Sequence, residues 1–122
     1  MDKRVNNRCA EKTWKSTVPI ARIFRIGRMI GTRYRSNKVI LYGSCANGNP
    51  HEGSDIDLLI VTSRVPGRRF CWRASDEWGR KAGHPVQMMF MGQHEFDETR
   101  DIVGGLAYPA THGGRVLFEK NA

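Results

Sequence analysis

Two aspartates one residue apart, Asp55 and Asp57, follow a turn of small residues, Gly43-Ser44, with ten residues between the turn and the first carboxylate. An apolar run, Val39–Tyr42, leads into the turn, and a second, Asp55–Val61, begins with the carboxylate pair. Small residues let a phosphate approach the backbone, whose N–H groups, with the Ser44 hydroxyl, can bind its oxygens. Two carboxylates side by side repel each other unless a cation or donors lie between them, and hard oxygen ligands suit Mg²⁺ carried with substrate phosphates. Gly-Ser or Asp-x-Asp alone says little. Their combination between two apolar runs points to a metal-bound nucleoside triphosphate.

The elements that must position these residues follow from periodicity. Val39–Tyr42 is continuously apolar and reads as a buried strand, and Asp55–Thr62 reads as a second. Side chains alternate along a strand, so Asp55, Asp57, Leu59 and Val61 share one face while Ile56, Leu58 and Ile60 share the other. Ahead of them, Ile20, Ile23, Phe24, Gly27, Ile30, Gly31 and Tyr34 recur at helical spacing, with Pro19 at the first turn. Gly27 and Gly31 on its inner face weaken the helix but let it come close to a sheet. A helix over about 68–81 buries Phe70 or Cys71 with Ala74, Trp78 and Ala82, stops at Gly83, and leads to a third strand, Val86–Met91. Trp72 and Trp78 do not sit whole turns apart, so one is expected to be exposed. A last helix is expected over 93–108, weakened by Gly104-Gly105, with a short strand over 115–119.

The stretch from Gly43-Ser44 to Asp55-Ile-Asp57-Leu resembles the signature of the DNA polymerase beta-like nucleotidyltransferases, and more narrowly the minimal nucleotidyltransferase (MNT) branch. The likeness extends from Ile20 to Glu119. It implies an α/β (α+β) fold, a small mixed and twisted sheet with helices packed on it. It also implies Mg²⁺-dependent transfer of a nucleoside monophosphate, AMP from ATP, to a hydroxyl of a protein or small molecule. By position Gly43 and Ser44 bind the nucleotide, and Asp55 and Asp57 are catalytic and hold the metal. Many MNT proteins resemble antitoxins paired with a HEPN toxin, which implies a HEPN-type partner or self-association. The family carries a third carboxylate on the next strand, where Gln87 stands here. An amide oxygen accepts a hydrogen bond but is no general base near neutral pH. Glu52, Asp76, Glu77 and Glu95 are the alternative sources of that charge. The competing function is therefore a weakened nucleotide-binding MNT that neutralises a toxin by binding it.

Composition sets the remaining expectations. The 122 residues suit one domain, 18–122, behind a loose basic arm, 1–17. The net charge of +8 is uneven: residues 1–38 hold eleven Lys or Arg against two acids, a net of +9, and the rest nets −1. That basic segment suits an acidic partner, and no base-stacking module argues for nucleic acid. Cys9, Cys45 and Cys71 are odd in number without metal spacing, and Cys45 is expected as a small buried residue. The setting expected is the reducing cytoplasm, with no secretory leader and no membrane span.

Overall fold

In the computed structural model, residues 18–43, 45, 46 and 55–121 are described. Helix α1 (Ile20–Arg33) leads into strand β1 (Lys38–Tyr42). Strand β2 (Ile56–Thr62), helix α2 (Arg68–Ala82) and strand β3 (Val86–Gly92) follow. Helices α3 (Gln93–Thr99) and α4 (Tyr108–Thr111) and strand β4 (Arg115–Glu119) complete the order. The sheet runs β3-β2-β1-β4, with β2 and β3 parallel and β1 antiparallel to both β2 and β4. It is the small mixed sheet expected from the sequence.

Alternation along β2 divides the core as its pattern requires. Ile56, Leu58 and Ile60 pack with Ile23, Ile26 and Ile30 of α1 and Ala74, Trp78 and Ala82 of α2. Leu59 and Val61 pack on the opposite face with Ile40, Met91, Phe96, Ala107 and Ala110. Both faces are thus covered, which is why β1 and β2 are apolar at nearly every position. The methionines of β3 are packing residues: Met88 lies on the first face, and Met89 and Met91 on the second.

The glycines of α1 explain how closely it docks. A Cβ at Gly27 would run into the Leu117 side chain, and one at Gly31 into the Phe118 ring, so both bare positions admit β4. Helix α2 buries Ala74, Trp78 and Ala82 at intervals of four and ends where Gly83 turns left-handed, φ +70°. Of the alternatives left open there, Phe70 is 45% exposed and Cys71 half-buried.

One expected element is corrected. In place of a helix over 93–108, α3 stops at Thr99 and a separate short helix forms at Tyr108–Thr111. Phe96 is the only buried residue of α3, while Ile102 and Val103, which would continue its stripe, face solvent. Gly104 adopts φ +89°, so the chain turns here and the core is filled by Ala107 and Ala110 instead.

The expected loose arm, 1–17, lies outside the described residues, as do Ser44, His51 and Glu52. Among the described residues no helix is long and apolar enough to cross a membrane.

Candidate functional site

Strand register assembles the site. Tyr42 of β1 pairs with Asp57 of β2, and Asp57 pairs with Gln87 of β3, so the three form a row across the sheet. Paired residues on neighbouring strands point to the same face. This is the face of Leu59 and Val61, and Tyr42 and Met89 pack against that core cluster. The row lies where β1 ends and where β2 and β3 begin.

Gly43 follows at once and is held by two constraints. Its φ of +80° is a left-handed conformation that side chains disfavour, and a Cβ there would stand 2.7 Å from Asp57 Oδ2. The turn therefore passes directly over the carboxylate. The Ala46 N–H donates to the Gly43 carbonyl (3.1 Å), closing the turn. Arg115 Nε donates to the Ala46 carbonyl (3.1 Å), and Cys45 Sγ to the Asp55 carbonyl (3.5 Å). The start of β4 and the approach to β2 thus hold the turn from two sides.

Electrostatics follow from burial and from the paired carboxylates. Burial, and then the charge of Asp55, hold the Asp57 carboxyl above its ordinary range. Burial and Asp57 likewise raise the Tyr42 hydroxyl. The Cys45 thiol is raised by burial, then Asp57, then Asp55, which disfavours the thiolate. It is half-buried. Asp55 precedes the strand, is exposed, and helps line a groove of about 430 Å³ with Gln87, Arg68, Ser75 and Trp72.

The donor set fits a hard divalent cation held together with phosphates. Asp57 is destabilised in its charged form by its neighbour, a cation would relieve that repulsion, and the missing Cβ of Gly43 leaves room at Oδ2. Among the described residues no three His, Cys, Asp or Glu side chains are grouped to hold a metal. Of the alternatives for a third charge, Glu52 lies outside the described residues, and two others are engaged in ion pairs. Asp76 pairs with Arg80 (2.9 Å), and Glu77 with Arg33 and Lys81 (3.2 Å each). Glu95 lies in the first turn of α3.

The structure thus brings together Gly43, Asp55, Asp57 and Gln87, and it adds Tyr42 and Arg115. No sequence signal marked Arg115 as a clamp on the turn, because it stands 69 residues from Ala46. Tyr42 closes the apolar run before the turn, and only the register shows that it flanks Asp57.

The fold and the row define a protein of the nucleotidyltransferase type, and comparison with known proteins agrees. The family model "Nucleotidyltransferase domain" matches residues 26–105, and the chain belongs to that family. No curated protein matches it. A chain of a toxin-antitoxin crystallised with AMP-PNP is 13% identical, with a TM-score of 0.62 over 85% of this chain and 76% of that one. A chain of the toxin-antitoxin MntA-HpeT with two aspartate-to-glutamate substitutions is 10% identical, with a TM-score of 0.60 over 85% and 75%. At such identities the likeness is one of fold.

Proposed function

We propose that this chain is a minimal nucleotidyltransferase that moves a nucleoside monophosphate, AMP from ATP, to a hydroxyl of a protein or small molecule. We propose further that it serves as the antitoxin partner of a HEPN-type toxin. The observation that carries the transfer reading is the closeness of Gly43 to Asp57: a turn residue without a side chain lies against a carboxylate that burial, and then Asp55, hold above its ordinary range. The fold shared with toxin-antitoxin chains, one crystallised with AMP-PNP, supports the nucleotide and the partner.

In this reading Gly43 and Ser44 bind the leaving phosphates through backbone N–H groups and a hydroxyl. Asp57 and Asp55 would hold Mg²⁺, which when bound orients the phosphates and neutralises charge developing on their oxygens. The acceptor oxygen forms a bond to the α-phosphorus as the bond to the bridging oxygen breaks, and pyrophosphate departs. The acceptor proton needs a base. Gln87 is an amide and cannot take it, so a metal-holding carboxylate, Asp57 beside it in the row or Asp55 in the same groove, serves or the proton passes to water. Metal holding and proton acceptance then compete for one carboxylate, and turnover is slow.

The same observation favours the second reading. With an amide opposite Asp57, the chain can bind nucleotide and neutralise a toxin by occupying it, with little transfer. Incubation with Mg²⁺ and ATP labelled at the α-phosphate, alongside hydroxyl acceptors, tests the first. Label is expected in the acceptor with the wild type and none with Asp57→Asn. Undiminished labelling by the variant rejects the assigned role of Asp57.

A further inference from the structure

Helices α1 and α2 pack on the same face of the sheet, that of Ile56, Leu58 and Ile60. They run antiparallel: Arg22 Nη2 donates to the Lys81 carbonyl (3.4 Å) at one end, and the Tyr34 and Phe70 rings meet edge to face at the other. Together they carry nine Arg or Lys against Asp76 and Glu77, a net of +7, and all nine cations are exposed. Arg33 and Lys81 take Glu77, and Arg80 takes Asp76. Arg22, Arg25, Arg28, Arg68, Arg69 and Arg73 pair with no acid among the described residues. On the other side of the sheet, residues 93–114 hold four acids against Arg100, a net of −3. Counted along the chain these acids offset the arginines of α2, and only the fold separates the two onto opposite faces.

Three of the six unpaired arginines stand where a cation is unfavourable. Arg22 lies in the first turn of α1, and Arg68 and Arg69 in that of α2; neither turn holds an acid, and a helix N-terminus is the positive end of its dipole. A polyanion laid across the two helices relieves that repulsion, and guanidinium forks match phosphate oxygens. Trp72 indicates what else the ligand carries. It is 76% exposed, stands one helical turn beyond Arg68 and Arg69, and with Arg68 lines the groove of about 430 Å³. Asp55 is the one carboxylate lining that groove among the described residues. An open indole beside guanidinium groups offers a base a stacking face and its phosphate a donor. An interface with a protein depletes charge at its centre, whereas the exposed ridge of α1 reads Ala21, Arg25, Arg28 and Thr32.

We infer that the outer face of α1 and α2 binds single-stranded nucleic acid, its phosphates on the unpaired arginines and an unpaired base on Trp72. A single strand is required because a base held in a duplex has no free face to offer the indole. Each helix is about 21–22 Å long, which suits a strand within the ~4–16 nucleotides usual for such grooves. The sequence showed no base-stacking module, and the structure supplies one by setting a lone exposed tryptophan among the arginines of α2. The inference does not rest on transfer at Asp57, whose side chain lies on the other face of the sheet.

The test uses the full chain and fluorescein-labelled RNA and DNA single strands of about 12 nucleotides, read by anisotropy over a salt series, with duplex RNA and polyglutamate as competitors. At least one of the two strands is expected to bind at about 0.15 M salt, and both competitors to displace it poorly. Trp72→Ala should weaken binding about tenfold with the salt slope unchanged, and Trp72→Phe should restore most of the loss. Arg68→Gln, Arg69→Gln and Arg73→Gln together should flatten the slope by about 2. All four positions are exposed, so their replacement leaves the core intact. The inference is overturned if neither strand binds, if Trp72→Ala binds as the wild type does, or if the triple replacement leaves affinity and slope unchanged, which would put the binding elsewhere on the chain. It is equally overturned if duplex or polyglutamate competes as well as the single strand, since the face would then read charge alone.

Discussion

The two sides of Asp57 are built differently. On the β1 side the backbone itself is committed: Gly43 is left-handed, lies against the carboxylate, and is fixed through Ala46 by Arg115. On the β3 side stand an exposed amide, Gln87, and an open groove lined by the exposed Trp72. Phosphates are alike in every nucleotide, so a rigid turn can be preformed for them, whereas an acceptor is particular to each protein. The first side is constrained by backbone geometry and the second only by side chains.

Breaking the rigid side should have the largest effect. Gly43→Ala places a Cβ against Asp57 Oδ2 in a left-handed conformation, at about 1–3 kcal/mol of strain. Mg-ATP affinity should fall about 100-fold, as read by calorimetric titration, with the stability loss read by chemical denaturation. If affinity is unchanged, the phosphates are not bound at this turn.

Sharpening the open side comes next. Gln87→Glu puts a second carboxylate beside Asp57 in the row and supplies a base. Transfer to a hydroxyl should rise about 10- to 100-fold, with a pH–rate profile that climbs through the new carboxyl. A rate that stays flat would mean that the missing charge does not limit turnover.

A third variant separates stability from the site altogether. Gly31→Ala drives a methyl into the Phe118 ring, at about 1–3 kcal/mol of overpacking, on the sheet face opposite that of Asp57. Thermal melts should show the loss, while Mg-ATP affinity stays within about twofold, as expected of sites that do not interact.

The smallest effect concerns pH. Because the Asp57 carboxyl is raised by burial and by Asp55, its neutral form is favoured in the fold. Its contribution to stability is present at low pH and is lost as pH rises through its folded pKa. Asp57→Asn without metal should therefore melt a few degrees higher than the wild type near pH 7, and the gap should close in acid. A variant that melts lower at neutral pH would contradict the strained-carboxylate account.

Much of this contrast was visible in the sequence, and unevenly so. Alternation in Ile56–Val61 assigned Leu59 and Val61 to one core and Ile56, Leu58 and Ile60 to the other, because a strand buried on both faces leaves few alternatives. The bare positions at Gly27 and Gly31 signalled close docking for the same local reason. The stretch 93–108 was not legible as two short helices. Its apolar residues continue past Phe96, and only the tertiary structure shows Ile102 and Val103 in solvent. Within the site, Gly43 and Asp57 announced themselves through spacing. Arg115 did not, since it acts across 69 residues, while for the two tryptophans helical spacing told that one is exposed and only the packing of α2 shows that it is Trp72.

The central claim is that Gly43 and Asp57 form the nucleotide half of a transferase site, and calorimetric titration of ATP with and without Mg²⁺ tests it most directly. The wild type should bind ATP saturably and more tightly with Mg²⁺, and Asp57→Asn should lose the Mg²⁺-dependent part. Equal binding by both proteins, or binding indifferent to Mg²⁺, would contradict it.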